Sequence, residues 1–303
     1  CTDLRRAIAQ KEGIAPEQIL CGNGASELLM AVVRAAAPEK CAIAAPSFSG
    51  YERAVRAAGA EPVFYELSHD TGFGYETVCD RLSKMTVQML FLCNPNNPTG
   101  NTIPEQILTE ILQFCASKKI RVVADECFLR FHPHYEKMSC KRFLKQYPNL
   151  LIVNAFTKFY AMAGLRLGYL LCSGGDLVGR IAAWGQCWSV STPAQVAGLA
   201  ALSLPDWEER TRRYLRTERP RVAGRLRELG FPVYPSDSSF LLFRGEETLW
   251  DQAMERGVML RACGNFPGLD TGFYRIGLKG QPQNEALLEV LAETGGNAWQ
   301  KQS

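Results

Sequence analysis

Short apolar runs recur through the first two thirds of the chain, at 42–44, 62–65, 89–92, 120–124, 150–153 and 167–171. Each is too short for a helix and is bounded by turn-forming residues, which predicts buried strands. The segments between them carry helical spacing. One is explicit: Pro104 stands near a first turn, and Ile107, Leu108, Ile111, Leu112 and Cys115 fall on one face. Another apolar helix is predicted over 28–36. Strand and helix in alternation argue for an α/β domain whose mostly parallel central sheet carries helices on both faces.

The texture changes from about Pro193. A long charged helix over 207–229 keeps leucines and a tyrosine for a buried side. After Gly230 come short strands around Val233 and at 240–243, 258–260 and 273–276, with helices at 247–256 and 284–293. These elements predict a second, smaller α+β unit. The expected division is a large domain over 1–192 and a small C-terminal domain over 193–303, with a tail fraying after Gly295. No internal repeat, low-complexity tract or long linker interrupts it.

Composition narrows the class. With 303 residues, 47% apolar and 21% charged, the chain can bury one large core and a smaller one. No apolar run approaches the roughly 20 residues of a membrane helix, and no signal-peptide pattern opens the sequence, so no membrane partner is expected. A net charge of +3 leaves no electrostatic footprint for nucleic acid. The 11 cysteines are scattered, without a Cys-x-x-Cys pair, and sit in apolar contexts such as Leu92-Cys93 and Leu171-Cys172. That usage suits reduced core thiols of a cytoplasmic protein. Three histidines exclude a histidine-rich metal site; His132 and His134 flank Pro133 and read as a surface loop, so no metal is expected.

The candidate chemistry begins after the strand at 150–153. Lys158 follows it in Phe156-Thr157-Lys158-Phe159, and Arg166 stands in Gly164-Leu165-Arg166-Leu167-Gly168. A lysine at a strand end among apolar residues loses hydration, which favours its uncharged, nucleophilic amine. The plainer alternative is a solvated loop lysine. Four further features accompany it. Gly22-Asn23-Gly24-Ala25-Ser26-Glu27 precedes an apolar helix, and its backbone N–H groups suit either a phosphate or merely a turn and cap. Asn94-Pro95-Asn96-Asn97-Pro98-Thr99-Gly100 ends a strand where open α/β sheets bind ligands, with Asn97 able to donate to a ring hydroxyl. Asp125 ends the strand at 120–124 and is either a cap or the partner of a cation such as a protonated pyridine nitrogen. Arg275, in Phe273-Tyr274-Arg275-Ile276-Gly277, is either a carboxylate fork facing a cleft or an edge-strand surface charge.

In their order and spacing these motifs resemble the class I/II, fold-type I family of pyridoxal-phosphate enzymes, the aspartate-aminotransferase-like superfamily, over essentially the whole chain. The resemblance implies pyridoxal 5'-phosphate as cofactor and a homodimer. It implies that Lys158 carries the cofactor, that Asp125 pairs with the pyridine nitrogen and that Asn97 bonds the ring oxygen. Gly24, Ala25, Ser26, Thr157 and Arg166 would hold the phosphate. Phe48, in Pro46-Ser47-Phe48, would stack on the ring, although core packing is its ordinary reading. Arg275 would bind the substrate.

Within that family the sequence looks like the threonine-phosphate decarboxylases of cobalamin biosynthesis, with histidinol-phosphate aminotransferases as near neighbours. Trp188-Ser189-Val190 and the stretch from Arg261-Ala262-Cys263-Gly264-Asn265 to Phe266-Pro267-Gly268-Leu269-Asp270 carry that likeness. So does Phe128, where aminotransferases of the group usually have a tyrosine. The resemblance implies decarboxylation of L-threonine O-3-phosphate, with amino transfer and a non-catalytic regulatory domain as alternatives. Ala155 and Ser239 depart from a serine and an asparagine frequent in relatives. The expected arm ahead of Cys1, which in relatives covers the site, is not in this sequence.

Overall fold

The structure, a computed structural model, describes residues 1–294. The tail after Gly295, expected to fray, lies outside the described residues. Two sheets organise them. β1 (Ile19–Gly22), β2 (Lys40–Ala45), β3 (Glu61–Glu66), β4 (Met89–Cys93), β5 (Arg121–Asp125), β6 (Leu150–Ala155) and β7 (Gly168–Cys172) form the large sheet in the order β1-β7-β6-β5-β4-β2-β3. Strands β2 to β6 pair in parallel, and β7 runs antiparallel to both β6 and β1. β8 (Phe240–Arg244), β9 (Arg261–Ala262) and β10 (Phe273–Gly277) make a small antiparallel sheet with β10 in the middle.

The continuous apolar runs have a simple cause. Leu90, Leu92, Val122, Ala124, Leu150 and Ile152 enter the core on one face of the sheet, while Met89, Phe91, Val123, Leu151 and Val153 enter the core on the other. A sheet covered on both faces has no solvent side to mark with polar residues. The predicted strands of the large unit are all present, each within about two residues of its expected ends, the usual uncertainty of such boundaries. β1 is an addition to them. Four residues ending in Gly22 carry no period, and it is pairing with β7, Cys21 opposite Tyr169, that makes them a strand.

The small unit differs more from expectation. Val233 forms only an isolated bridge to Phe243, and 258–260 is not a strand: Leu260 drops into the small core and pairing begins at Arg261. The long helix runs Pro205–Glu228, with Pro205 at its start. Before it stands the helix Thr192–Leu202, apolar on every side and so without a readable face. That helix packs on Thr2–Glu12, and a side chain at Gly198 would lie 2.6 Å from Leu167.

A buried polar network joins these parts. Arg130 contacts Glu12 directly and lies 3.3 Å from Glu208, in the first turn of Pro205–Glu228. Tyr169 donates to Glu12 at 2.7 Å and Tyr160 donates to Glu208 at 2.8 Å; Lys141 also lies 3.0 Å from Glu12, and Lys11 and Arg212 each lie 3.0 Å from Glu208. Burial pushes both carboxyls up, but Arg130 outweighs it, with Lys141 at Glu12 and Tyr160 and Lys11 at Glu208. Glu12 is held below the usual carboxylate range and Glu208 is held down to about 2.

Removing the shared cation would leave Glu12 to Lys141 and Glu208 to Lys11 and Arg212, so each buried carboxylate would lose its most buried charge partner. Arg130→Met should therefore lose about 1–3 kcal/mol of stability, measured by urea unfolding at neutral pH. Because both folded-state values lie below the unfolded one, their contribution is present above the usual 4.5 and drains as pH falls toward 2. Arg130→Met should accordingly show a shallower acid slope; an unchanged slope would place the acid sensitivity elsewhere.

Candidate active site

The carboxyl ends of β4, β5 and β6 open on one cavity of about 260 Å³. It is lined by Ala25, Ser26, Phe48, Asn97, Asp125, Thr157, Lys158, Arg166 and Arg275, so nine of the ten residues expected to touch cofactor or substrate meet there. Gly24, the tenth, stands directly behind the wall. Cys93, Cys127, Phe128 and Ala155 complete the lining.

One end of the cavity is a cup. The helix Gly24–Ala36 points its N-terminus at it, and Asn23 makes no side-chain cap there. Gly24 has φ +77°, and a Cβ on it would lie 2.8 Å from the Arg166 guanidinium. A Cβ on Gly168 would lie 2.7 Å from the backbone of Gly24 and Ala25. Two glycines thus let Arg166 and β7 close on free N–H groups, with Ser26 and Thr157 beside them. Helix dipole, guanidinium and hydroxyls together suit a phosphate. Arg166 is exposed, at φ +55°, and donates to Ala163 O at 3.1 Å.

Asp125 forms the opposite, buried end, 6% exposed. Its Oδ2 accepts from the Tyr51 hydroxyl at 2.7 Å and its Oδ1 from the Cys127 N–H at 2.9 Å. The bond to Cys127 is the turn cap offered as one alternative, and the same carboxylate still lines the cavity. Within the protein two neutral donors hold it. Asn97 is also buried, and its Oδ1 accepts from Arg275, which leaves the donor end of the amide for a ligand. Arg275 lies on the central strand β10, half-buried, with its guanidinium 5.0 Å from the Phe240 ring centre, which rules out the edge-strand reading. Burial pushes Arg275 below its ordinary value, a cost that a bound anion would offset.

Lys158 departs from expectation. It sits in the turn Phe156–Phe159 after β6, whose other residues are buried, but it is itself exposed and lies between two cavities. An apolar enclosure is therefore not the source of its chemistry here. Phe48 is half-buried and edge-on to Tyr51, with ring centres 5.5 Å apart, so it packs against the core and forms cavity wall at once. A Cβ on Gly50 would strike the Phe48 ring at 2.2 Å, so only glycine lets the ring lie where it does.

Sequence reasoning misses Tyr51, although an aromatic three residues after Phe48 could signal one packed cluster. It also misses an outer cavity of about 800 Å³ that shares Phe128, Lys158 and Arg275 with the inner one. Arg261 and Lys279 add cations, Trp250, Met259 and Leu287 add apolar wall, and no carboxylate lines it. His132 is half-buried and His134 exposed, and among the described residues no group of three His, Cys, Asp or Glu is placed to hold a metal. Nor, among them, is any helix long and apolar enough to cross a membrane.

Residues 1–291 match the family described as aminotransferase class I and II. The threonine-phosphate decarboxylase of Salmonella typhimurium is 34% identical over 292 residues, covering 95% of this chain and 80% of the relative. The histidinol-phosphate aminotransferase of Thermococcus gammatolerans is 32% identical over 292 residues, covering 96% and 80%. Among solved structures, the histidinol-phosphate aminotransferase from Clostridium acetobutylicum superposes with TM-score 0.89 at 29% identity, over 97% of this chain and 88% of that one. The L-threonine-O-3-phosphate decarboxylase from Porphyromonas gingivalis gives TM-score 0.84 at 26% identity over the same shares, 97% and 88%.

The cup depends on backbone reaching backbone. Gly168→Ala should cost about 1–3 kcal/mol by overpacking and should weaken binding of inorganic phosphate, read by urea unfolding and by calorimetric titration. Parent stability together with parent phosphate affinity would mean that β7 can withdraw freely.

Proposed function

This chain belongs to the aminotransferase class I and II family, and from that premise we propose that it decarboxylates L-threonine O-3-phosphate to aminopropanol phosphate with pyridoxal 5'-phosphate. The fold is the family's fold type I. The observation that carries the choice of reaction is Phe128, which stands where the inner and outer cavities meet and presents a ring without a hydroxyl. Its ring is edge-on to Phe240, with centres 5.0 Å apart. The Salmonella and Porphyromonas relatives, named for the same decarboxylation, support the reading.

The residues fit the cofactor. Gly24, Ala25, Ser26, Thr157 and Arg166 would hold its phosphate, Phe48 would cover the ring, and Asn97 would donate to the ring oxygen. Asp125 would hold a proton at the ring nitrogen. Bound pyridoxal phosphate supplies an electron sink for the pair left on the α-carbon when a bond there breaks. Lys158, the one lysine lining the inner cavity, is the residue to carry the cofactor and to move a proton at the α-carbon. Arg275, fixed between Asn97 and Phe240, would grip one anionic group of the substrate, and Arg261 and Lys279 face the space for a second. In the reaction the bond from α-carbon to carboxylate breaks, CO2 leaves, and a proton takes its place.

The domain division at 192/193 and a homodimer belong to the same proposal. Trp184 and Trp188, 54% and 97% exposed, supply an apolar surface for the dimer. A second reading, amino transfer from histidinol phosphate, is favoured by one observation: the aminotransferase from Clostridium acetobutylicum superposes at 0.89, above the decarboxylase at 0.84.

Products separate the two. Supplied with threonine phosphate, the protein with pyridoxal phosphate should release CO2 and aminopropanol phosphate; glutamate from histidinol phosphate and 2-oxoglutarate, without CO2 release, would reverse the assignment. Phe128→Tyr should be neutral or should lower decarboxylation, because a hydroxyl placed beside Phe240 must find a partner or bear about 1–3 kcal/mol of desolvation. A rise in glutamate formation in that variant would mark the chain as an aminotransferase.

A further inference from the structure

We infer that Tyr51 is a positioning residue whose buried hydroxyl fixes the orientation and charge of Asp125 for a cationic ring nitrogen. The inference rests on reading the inner cavity as a pyridoxal phosphate site. Tyr51 is fully buried, at 0% exposure. Its ring lies nearly parallel to Phe91, with centres 5.0 Å apart and 14° between planes, and meets the Phe48 ring edge-on at 86°. Held on both sides, the hydroxyl has one place to be, 2.7 Å from Asp125 Oδ2.

A purely structural role would not need that oxygen. Phenylalanine fills the same space and stacks equally well on Phe91, whereas a buried hydroxyl costs about 1–3 kcal/mol unless it is paired. Burial, and then the neighbouring Asp125, push the Tyr51 phenol well above its ordinary value. It therefore stays protonated, and its bond to the carboxylate is always a donation. On the other oxygen, the Cys127 N–H donates at 2.9 Å from the turn after β5. The carboxylate is thus gripped from the helix Gly50–Ala57 on one side and from its own strand end on the other. An ionised carboxylate has about four acceptor positions, so two donors leave room for a third arriving from the cavity.

The same ring touches Phe48, so Tyr51 ties the aromatic wall of the cavity to its acidic end. The other titratable groups facing Asp125 are Cys93 of β4, Cys127, Lys158 and, beyond Asn97, Arg275 of β10. Burial, then Asp125, push both thiols up, so they remain neutral and leave the donation to Tyr51.

The test is equilibrium binding of pyridoxal phosphate to the apo-protein across the acid and neutral range, with thermal melts alongside. Tyr51→Phe should weaken binding by about tenfold, the value of one hydrogen bond to a charged group. Without its donor the ionised carboxylate is less favoured, so the pH below which the cofactor is lost should move upward. In an Asp125→Asn background the same substitution should cause no further loss. Fluorinated tyrosine at position 51 keeps the packing and strengthens the donor; it should move the acid limit downward, and it carries the test should Tyr51→Phe fail to fold. Parent affinity and parent pH profile in Tyr51→Phe, equal losses in both backgrounds, or an unmoved limit with the fluorinated residue would overturn the inference. A parent protein that binds no pyridoxal phosphate at all would instead overturn the site reading beneath it.

Discussion

An ionisable group taken out of water must be met by partners built into the fold, and residues 125–130 carry three such groups through the interior. Asp125 turns into the inner cavity and is held by Tyr51 and Cys127. Glu126 turns the other way, to the Ser139 hydroxyl at 2.7 Å and the Cys140 N–H at 2.6 Å, and burial pushes it up to about 7 despite those donors. Arg130 lies between Glu12 and Glu208. Satisfying these groups fixes how the N-terminal helix, the turn around Ser139 and the first turn of Pro205–Glu228 must sit. The segment that supplies the acid of the site therefore also anchors the helix leading to the small sheet.

The neighbouring carboxyls illustrate how environment assigns different roles to the same chemistry. Burial pushes Glu126 up, and its donors, a hydroxyl and one amide, include no cation, so it is mostly protonated in the folded protein below about pH 7. Its contribution runs opposite to that of Glu12 and Glu208: with a folded-state value above the unfolded one, it is present at acid pH and lost as pH rises from the usual 4.5 toward 7. Asp125 opens instead to the cavity, where a third donor can reach it. What separates the two residues is the alternation of side chains at a strand end, which sends successive residues to opposite faces.

Much of this is legible in the order of the residues alone. Strands buried on both faces leave unbroken apolar runs, and open sheets form their clefts where such strands end, so the cavity-lining Asn97, Asp125 and Lys158 can be located from the runs preceding them. Gly24 and Gly168 stand out as glycines, but their purpose is a close approach between β7 and a helix start more than 140 residues away along the chain, which no local pattern encodes. Tyr51 is hidden for a related reason: an aromatic on an amphipathic helix reads as core, and only the third dimension shows its oxygen reaching a carboxylate 74 residues away. β9 and the bridge at Val233 differ from expectation because such short pairings depend on the strands they meet, β10 and β8, rather than on their own sequence.

At Lys158 the departure from expectation has a physical cause. Its sequence neighbours Phe156, Thr157 and Phe159 are buried, and an apolar neighbourhood suggests a dehydrated amine. In the turn after β6 those side chains point into the core and so leave the lysine as the one residue facing the opening. The result is a contrast between a floor held by its neighbours and an exposed arm. Asp125, Asn97 and Arg275 are held by hydrogen bonds and ring contacts and cannot move far. Lys158, exposed on a flexible four-carbon stem, lines both the inner and the outer space. The proposed reaction, which must first hold a ligand and later deliver a proton to it, needs one group free to change position while the others stay fixed, and among the residues lining the inner cavity the exposed lysine suits that part.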